Sequence, residues 1–121
     1  MTSFQGLRVL VVEDETPIAM MIEDMLADMG CVVAGSVGTI EDALRRVSQG
    51  DFEFALLDLN LRGRNAQEVA DALVAKGVPF AIGSGYGRAG LPPHLKDRPV
   101  LQKPFLSDDL ERVMRESLRA N

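Results

Sequence analysis

Four short apolar segments of the chain each end in side chains that can do chemistry. Glu13 and Asp14 follow the first segment, Asp58 follows another, and Ser84 and Lys103 follow two more. If these segments are parallel strands, their carboxyl ends share one edge of a sheet, which is where doubly wound sheets bind ligands. We therefore expect the five side chains to lie together at one site.

Three carboxylates at one site need a cation. Glu13, Asp14 and Asp58 would repel one another and raise each other's pKa. Mg²⁺ removes this conflict because it takes oxygen ligands, commonly one or two carboxylates with water and phosphate oxygens. One carboxylate then remains able to attack phosphorus, a known covalent role of aspartate. The Lys103 ammonium and the Ser84 hydroxyl would stabilise the negative charge of the transferred group.

Each of these residues also has an ordinary structural explanation. Asp58 could be a turn or capping residue. Glu13 and Asp14 could place negative charge before a helix N-terminus, where it is favourable. Ser84 could be a turn serine and Lys103 a solvated loop lysine. The combination is harder to explain in this way, because each group stands at the end of its own segment.

Strands and helices are predicted to alternate, which is typical of a parallel sheet covered on both faces. The predicted strands are 7–12, 31–34, 52–57, 78–82 and 99–101. The helices are predicted to begin at the capping residues Thr16, Thr39, Asn65 and Ser107. The methionines of the first helix, Met21 among them, recur at helical spacing and are expected in the core.

The segment 83–98 interrupts this alternation. Its glycines and the pair Pro92-Pro93 make a long helix improbable, so we expect a mobile loop with at most a short helical turn. GYGRAG, residues 85–90, matches G-x-G-x-x-G, but the helix that a dinucleotide site requires does not follow it. His94 follows the proline pair and is expected on the solvated surface, without a supporting carboxylate.

Length and composition limit the function classes. The 121 residues predict a single domain over 1–121 with no output domain. The net charge of −5, without a basic stripe, argues against nucleic-acid binding. No apolar run approaches the ~20 residues of a membrane span, and the N-terminus is unlike a signal peptide. With Cys31 as the only cysteine, these features predict a cytoplasmic protein without disulfides.

Four stretches resemble the receiver domain of two-component response regulators. They are VLVVEDE (9–15), FALLDLNLRG (54–63), GSG (83–85) and QKPF (102–105), and they span nearly the whole chain. The resemblance implies a flavodoxin-like, doubly wound sheet of five parallel strands in the order 2-1-3-4-5. The glycine-rich segment then predicts that the fourth helix of this fold is weak or missing.

The resemblance also implies roles for the acidic residues. Glu13 and Asp14 match the pair that holds Mg²⁺ in this family. Asp58 matches the residue that is phosphorylated and also binds the metal. Asn60, two residues later, would offer its backbone carbonyl to the same ion.

A second group of residues is implied to respond to phosphorylation. Ser84 matches the hydroxyl switch residue and Lys103 the family's lysine, both of which contact the phosphoryl group. Lys103 and Pro104 match a peptide bond that the family usually holds cis, although cis X-Pro bonds are a minority elsewhere. Gly83 and Gly85 would let the backbone approach the phosphoryl group closely.

The chain departs from the usual family pattern in three places. It lacks Met-Pro in the pattern D-x-x-M-P after Asp58, Val100 stands where many receivers have an aromatic switch residue, and the segment after the fourth strand is rich in glycine. PFAIGSGYG (79–87) resembles the P-F-x-F-A-T-G-Y-G stretch of the FATGUY-type single-domain regulators. Tyr86 either replaces the missing aromatic residue or packs on the last helix, and the sequence leaves both open.

We therefore expect a single-domain response regulator and not an enzyme acting on an external substrate. A histidine kinase or phosphotransfer protein would phosphorylate Asp58 with Mg²⁺ present, and the signal would pass to a downstream protein. One alternative is a receiver module excised from a hybrid kinase or larger regulator. Another is an aspartyl-phosphate hydrolase, against which Asn60 argues because those enzymes typically carry a second acid there.

Overall fold

Five strands form one parallel sheet in the computed structural model, which describes residues 4–85 and 91–119. The strands of this sheet are β1 (Arg8–Val12), β2 (Val32–Val37), β3 (Phe54–Asp58), β6 (Phe80–Ser84) and β7 (Val100–Gln102). Between β3 and β6 in the chain, a separate antiparallel hairpin contains β4 (Asn60–Leu61) and β5 (Arg64–Asn65). The order across the sheet is β2-β1-β3-β6-β7. Counting the sheet strands alone, this is the predicted order 2-1-3-4-5, and the flavodoxin-like fold is confirmed.

Helices cover both faces of the sheet. They are α1 (Thr16–Asp28), α2 (Ile40–Gln49), α3 (Gln67–Lys76) and α4 (Ser107–Arg119). The side chains of β1 alternate between two buried clusters: Leu10 packs with α2 and α3, and Val9 packs with α1 and α4. Burial on both faces explains why the strand sequences are nearly continuous apolar runs.

Local capping fixes where the helices begin. The Thr39 hydroxyl accepts a hydrogen bond of 3.1 Å from the Asp42 amide, as its capping position predicts. The Asn65 side chain accepts one of 2.7 Å from the Gln67 amide. At the other three helices the prediction was wrong by one residue. Thr16 and Ser107 are already helical in α1 and α4, and the N-cap of α1 is Glu15. At α3 the N-cap is Ala66, and Asn65 lies one residue earlier, in β5.

Two other predictions need correction. Asp58 and Ser84 are the last residues of β3 and β6, not the residues that follow them, because the ladder continues through the pairs Asp58↔Gly83 and Ser84↔Gln102. Met21, which was expected in the core, is 38% exposed. The buried face of α1 is narrow, consisting of Ala19, Ile22 and Leu26, and Met21 lies beside it.

The connection between β6 and β7 contains a short 3₁₀ helix at Pro93–Leu95. This agrees with the expected short helical turn in the part of the connection that the structure describes. Leu91 and Leu95 are buried in the cluster beneath α2 and α3. Tyr86, the candidate aromatic switch, lies outside the described residues. In the described ranges, no helix is long and apolar enough to cross a membrane.

The cap of α2 gives a test of the fold. We expect Thr39→Ala to lower the free energy of unfolding by about 1 kcal/mol, because the Asp42 amide loses its acceptor. Urea denaturation measures this change. Thr39→Ser keeps the hydroxyl and is expected to stay close to the wild type, and equal losses in the two variants would contradict the capping role.

Candidate functional site

The pairing of the strands brings the predicted side chains to one edge of the sheet. Val12 pairs with Leu57, so Glu13 and Asp58 leave adjacent strands at the same level. On the side of β3 that faces away from β1, Asp58 pairs with Gly83 of β6, and Ser84 of β6 pairs with Gln102 of β7, so both strands end at the same edge. The edge forms an open cleft of about 820 Å³, whose lining includes Asp14, Asp58, Ser84 and Lys103.

The Lys103 ammonium joins two carboxylates. Its Nζ donates to Glu13 Oε1 at 2.7 Å and to Asp58 Oδ2 at 2.8 Å. Glu13 is 4% exposed and Asp58 is 9% exposed, so both acids are removed from most of the solvent. A lysine that bridges two buried acids offsets their mutual repulsion.

Backbone amides hold the other carboxylate oxygens. The Asn60 amide donates to Asp58 Oδ1 at 2.9 Å, and the Glu15 amide donates to Glu13 Oε2 at 3.2 Å. The Arg62 amide donates to Asp14 Oδ2 at 3.2 Å. All three acids of the site are therefore oriented by amides close to them in the fold.

Burial and neighbouring charge shift two ionisation equilibria. Burial raises the pKa of Glu13, the Asp58 charge adds to this, and the bond from Lys103 only partly opposes it. Burial lowers the pKa of Lys103, but its bonds to Asp58 and Glu13 outweigh burial, so the pKa lies above its usual value. The lysine is thus held in its charged form.

The three acids fit a hard divalent cation. One carboxylate oxygen each from Glu13, Asp14 and Asp58 lies within 4.8 Å of the others. An all-oxygen donor set beside an open, polar cleft suits Mg²⁺ better than a softer metal. Asn60, the fourth predicted ligand, also lines the cleft, and its side-chain Oδ1 accepts from the Gly63 amide at 3.0 Å.

The remaining predicted residues belong to β6 or directly follow β6 or β7. Ser84 lines the cleft, and its carbonyl accepts a 3.0 Å hydrogen bond from the Lys103 amide. The Lys103–Pro104 peptide bond is cis, as expected. A Cβ on Gly83 would make ordinary contact with Lys103 Cε at 3.5 Å, and one on Gly85 would meet no atom of residues 4–85 or 91–119 within 4 Å. Packing among these residues therefore requires glycine at neither position.

Sequence reasoning missed the β4–β5 hairpin, which supplies two of the amides at the site. Leu61 pairs with Arg64 across a two-residue loop, Arg62-Gly63. Gly63 was the available signal, because two-residue hairpin loops favour glycine at this position.

The expectation for His94 was wrong in one respect. Its Nε2 lies 2.9 Å from Asp71 Oδ1 on α3, so a carboxylate does support it, although both side chains are about half exposed. The two residues are distant in sequence, and only the packing of the β6–β7 connection against α3 brings them together.

Comparisons with known proteins point to one family. The sequence model described as response regulator receiver domain matches residues 9–115. No curated protein sequence matches the chain.

Solved structures give the same result. The solution structure of SdrG from Sphingomonas melonis Fr1 is 39% identical, with a TM-score of 0.84 over 98% of this chain and 99% of that chain. The BeF3-activated conformation of SdrG from Pseudomonas melonis Fr1 is 42% identical, with a TM-score of 0.74 over 91% of this chain and 95% of that chain. The response regulator PhyR from Brucella abortus is 26% identical, with a TM-score of 0.78 over 98% of this chain but 50% of PhyR.

The raised pKa of Glu13 predicts a pH-dependent effect of Glu13→Gln in metal-free buffer. Protonated Glu13 stabilises the fold below the ordinary pKa of 4.5, and this contribution is lost as pH rises through the higher folded value. The stability of Glu13→Gln relative to the wild type should therefore increase from about pH 4.5 to about pH 7.5.

Urea denaturation in EDTA at the two pH values measures this difference. Glu68→Gln, at an exposed position on α3, controls for the loss of a glutamate charge. A stability difference between Glu13→Gln and the wild type that is equal at both pH values would contradict the assignment.

Proposed function

Because the chain belongs to the response regulator receiver family, we propose that it accepts a phosphoryl group on Asp58 and signals through contact with another protein. The observation that carries this proposal is the position of Asp58. Its carboxylate lines the open cleft, 2.8 Å from a lysine and beside two further acids. The family is one of signalling modules and not of enzymes that act on external substrates.

The chain's own residues orient the nucleophile. In the proposed transfer, an Asp58 carboxylate oxygen forms a bond to phosphorus while the bond between phosphorus and the donor breaks, and the donor keeps that electron pair. The Asn60 amide holds one Asp58 oxygen in place, and the Lys103 ammonium lies where negative charge gathers. Glu13 and Asp14, with Asp58 and the Asn60 carbonyl, are the proposed ligands of Mg²⁺. When bound, Mg²⁺ would neutralise charge on the transferred phosphoryl oxygens.

Ser84 and Lys103 are the proposed links from the phosphoryl group to the rest of the fold. Both line the cleft, and the bond from the Lys103 amide to the Ser84 carbonyl joins their strands. A hydroxyl and an ammonium that turn toward a phosphoryl group would move the ends of β6 and β7 together. The existence of a BeF3-activated conformation of the relative SdrG supports such a change.

A histidine kinase or phosphotransfer protein is the proposed phosphodonor, and a protein is the proposed target. The coverage of almost all of SdrG supports a regulator that acts as a single domain. The coverage of half of PhyR supports the alternative, a receiver module within a larger regulator. Both forms of the proposal use the same site.

The mass of the intact protein tests the phosphorylation. We expect incubation with Mg²⁺ and a small phosphodonor to add one phosphoryl group to the wild type and none to Asp58→Asn. Asparagine keeps the size of the side chain but is not a nucleophile for this reaction. Omission of Mg²⁺ should greatly slow the addition. Equal phosphorylation of the two proteins, or none of the wild type with any donor or kinase, would contradict the proposal.

The switch role of Ser84 has a separate test. We expect Ser84→Ala to be phosphorylated to the same extent as the wild type, because the hydroxyl does not carry out the transfer. Its backbone amide shifts at 91–102 should nevertheless respond much less to beryllofluoride, because the hydroxyl that would turn toward the phosphoryl group is lost while the bond from the Lys103 amide to the carbonyl of residue 84 remains. Ser84→Thr keeps the hydroxyl and should restore the response. A full response in Ser84→Ala would exclude the switch role.

A further inference from the structure

We infer that the β4–β5 hairpin is a positioning element for the metal site, and that the left-handed backbone of Gly63 determines how well the site binds Mg²⁺. The inference rests on the proposed function for the assignment of Mg²⁺ to the three acids. It gives a role to Gly63, the last residue of the stretch FALLDLNLRG, to which no role was assigned from the sequence.

The hairpin has a loop geometry that few residues adopt. Arg62 has a φ of 53° and Gly63 a φ of 80°, so both central residues of the two-residue loop are left-handed. Two-residue loops of this kind match the twist of the flanking strands. Glycine adopts positive φ without steric cost, asparagine tolerates it, and a β-branched residue does not.

Three contacts fix the hairpin to the rest of the protein. Leu61 is 1% exposed and belongs to the cluster beneath α2 and α3. The Ala66 amide donates to the Leu59 carbonyl at 2.7 Å, which closes the base of the hairpin. Arg64 forms an ion pair of 2.9 Å with Glu41 at the start of α2. The loop is therefore held in one place relative to the sheet edge.

Two amides of the fixed hairpin orient two carboxylates. The Asn60 amide bonds Asp58 Oδ1 at 2.9 Å, and the Arg62 amide bonds Asp14 Oδ2 at 3.2 Å. Within the described residues, Asp14 Oδ1 has no hydrogen-bond donor, so this oxygen remains available to a cation. The shape of the hairpin thus sets how Asp14 and Asp58 face each other.

The bond to Asp14 distinguishes this chain from the usual family pattern. In D-x-x-M-P, counted from Asp58, the proline falls at the position of Arg62. Proline has no backbone N–H and cannot adopt a φ of 53°, so it could neither donate to Asp14 nor occupy this loop. The departure from the pattern is therefore what permits the contact.

Gly63→Val and Gly63→Asn form a matched pair that isolates the backbone conformation. The two side chains have similar sizes, and a Cβ at Gly63 would meet none of the described residues within 4 Å, so bulk alone does not separate the variants. We expect Gly63→Val to weaken Mg²⁺ binding by about tenfold, because the loop leaves its geometry and Asp14 loses an amide bond. Gly63→Asn should stay within about twofold of the wild type.

Arg62→Gly separates the amide from the side chain. Glycine keeps the N–H and permits the left-handed backbone but removes the guanidinium, so we expect the amide at position 62 to stay protected, and any change in Mg²⁺ affinity then reports the side chain. Calorimetric titration of Mg²⁺ into the unphosphorylated protein gives the dissociation constants. Hydrogen exchange of the Arg62 amide reports whether its bond to Asp14 persists, and the melting temperature reports global folding.

Several results would overturn the inference. One is wild-type Mg²⁺ affinity in Gly63→Val after the Arg62 amide has lost protection. Another is a loss of affinity in Arg62→Gly as large as in Gly63→Val although the amide at position 62 stays protected. A third is no Mg²⁺ binding by the wild type. If Gly63→Val does not fold, Gly63→Ala applies a smaller penalty at the same φ. None of these measurements needs phosphorylation. The protein could therefore fail to be phosphorylated while the wild type and Gly63→Asn still bind Mg²⁺ more tightly than Gly63→Val. That result would support the positioning role and refute only the proposed function.

Discussion

The bridge from Lys103 to Glu13 and Asp58 is the interaction on which the site depends. Two acids that are almost fully buried would repel each other, and the ammonium between them compensates for this at 2.7 and 2.8 Å. In the same bridge, Lys103 donates to Asp58 Oδ2, and the Asn60 amide donates to the other carboxylate oxygen, Oδ1. In this state the proposed nucleophile is held in position by the lysine, and in the proposed reaction a metal and a phosphodonor would compete with the lysine for it.

The parallel sheet makes this bridge possible. Glu13, Asp58 and Lys103 follow or end β1, β3 and β7, whose carboxyl ends lie at one edge. In the proposed reaction Lys103 would respond to a change at Asp58. Lys103 directly follows Gln102, the last residue of β7, and its amide is bonded to the Ser84 carbonyl of β6, so such a response would be transmitted to both strands.

Features that depend on local residue order were predictable. The apolar runs predicted the positions of the sheet strands, although β2 continues to Val37, three residues beyond its predicted end, and Thr39 predicted the start of α2. Features that depend on packing were not. The burial of Met21 was predicted wrongly because periodicity does not show how wide the covered stripe of α1 is. The contact of His94 with Asp71 was missed because only the fold brings these residues together.

The sequence by itself determined which groups stand at the ends of which strands, because residue order and strand polarity together place them at one edge. It also determined that residue 63 can adopt a left-handed backbone conformation, because this residue is glycine. The tertiary structure alone decided which atoms meet: that Lys103 bridges Glu13 and Asp58, and that the Arg62 amide reaches Asp14. These contacts join residues far apart in the chain, and their geometry follows from strand register and from a hairpin held in place by packing.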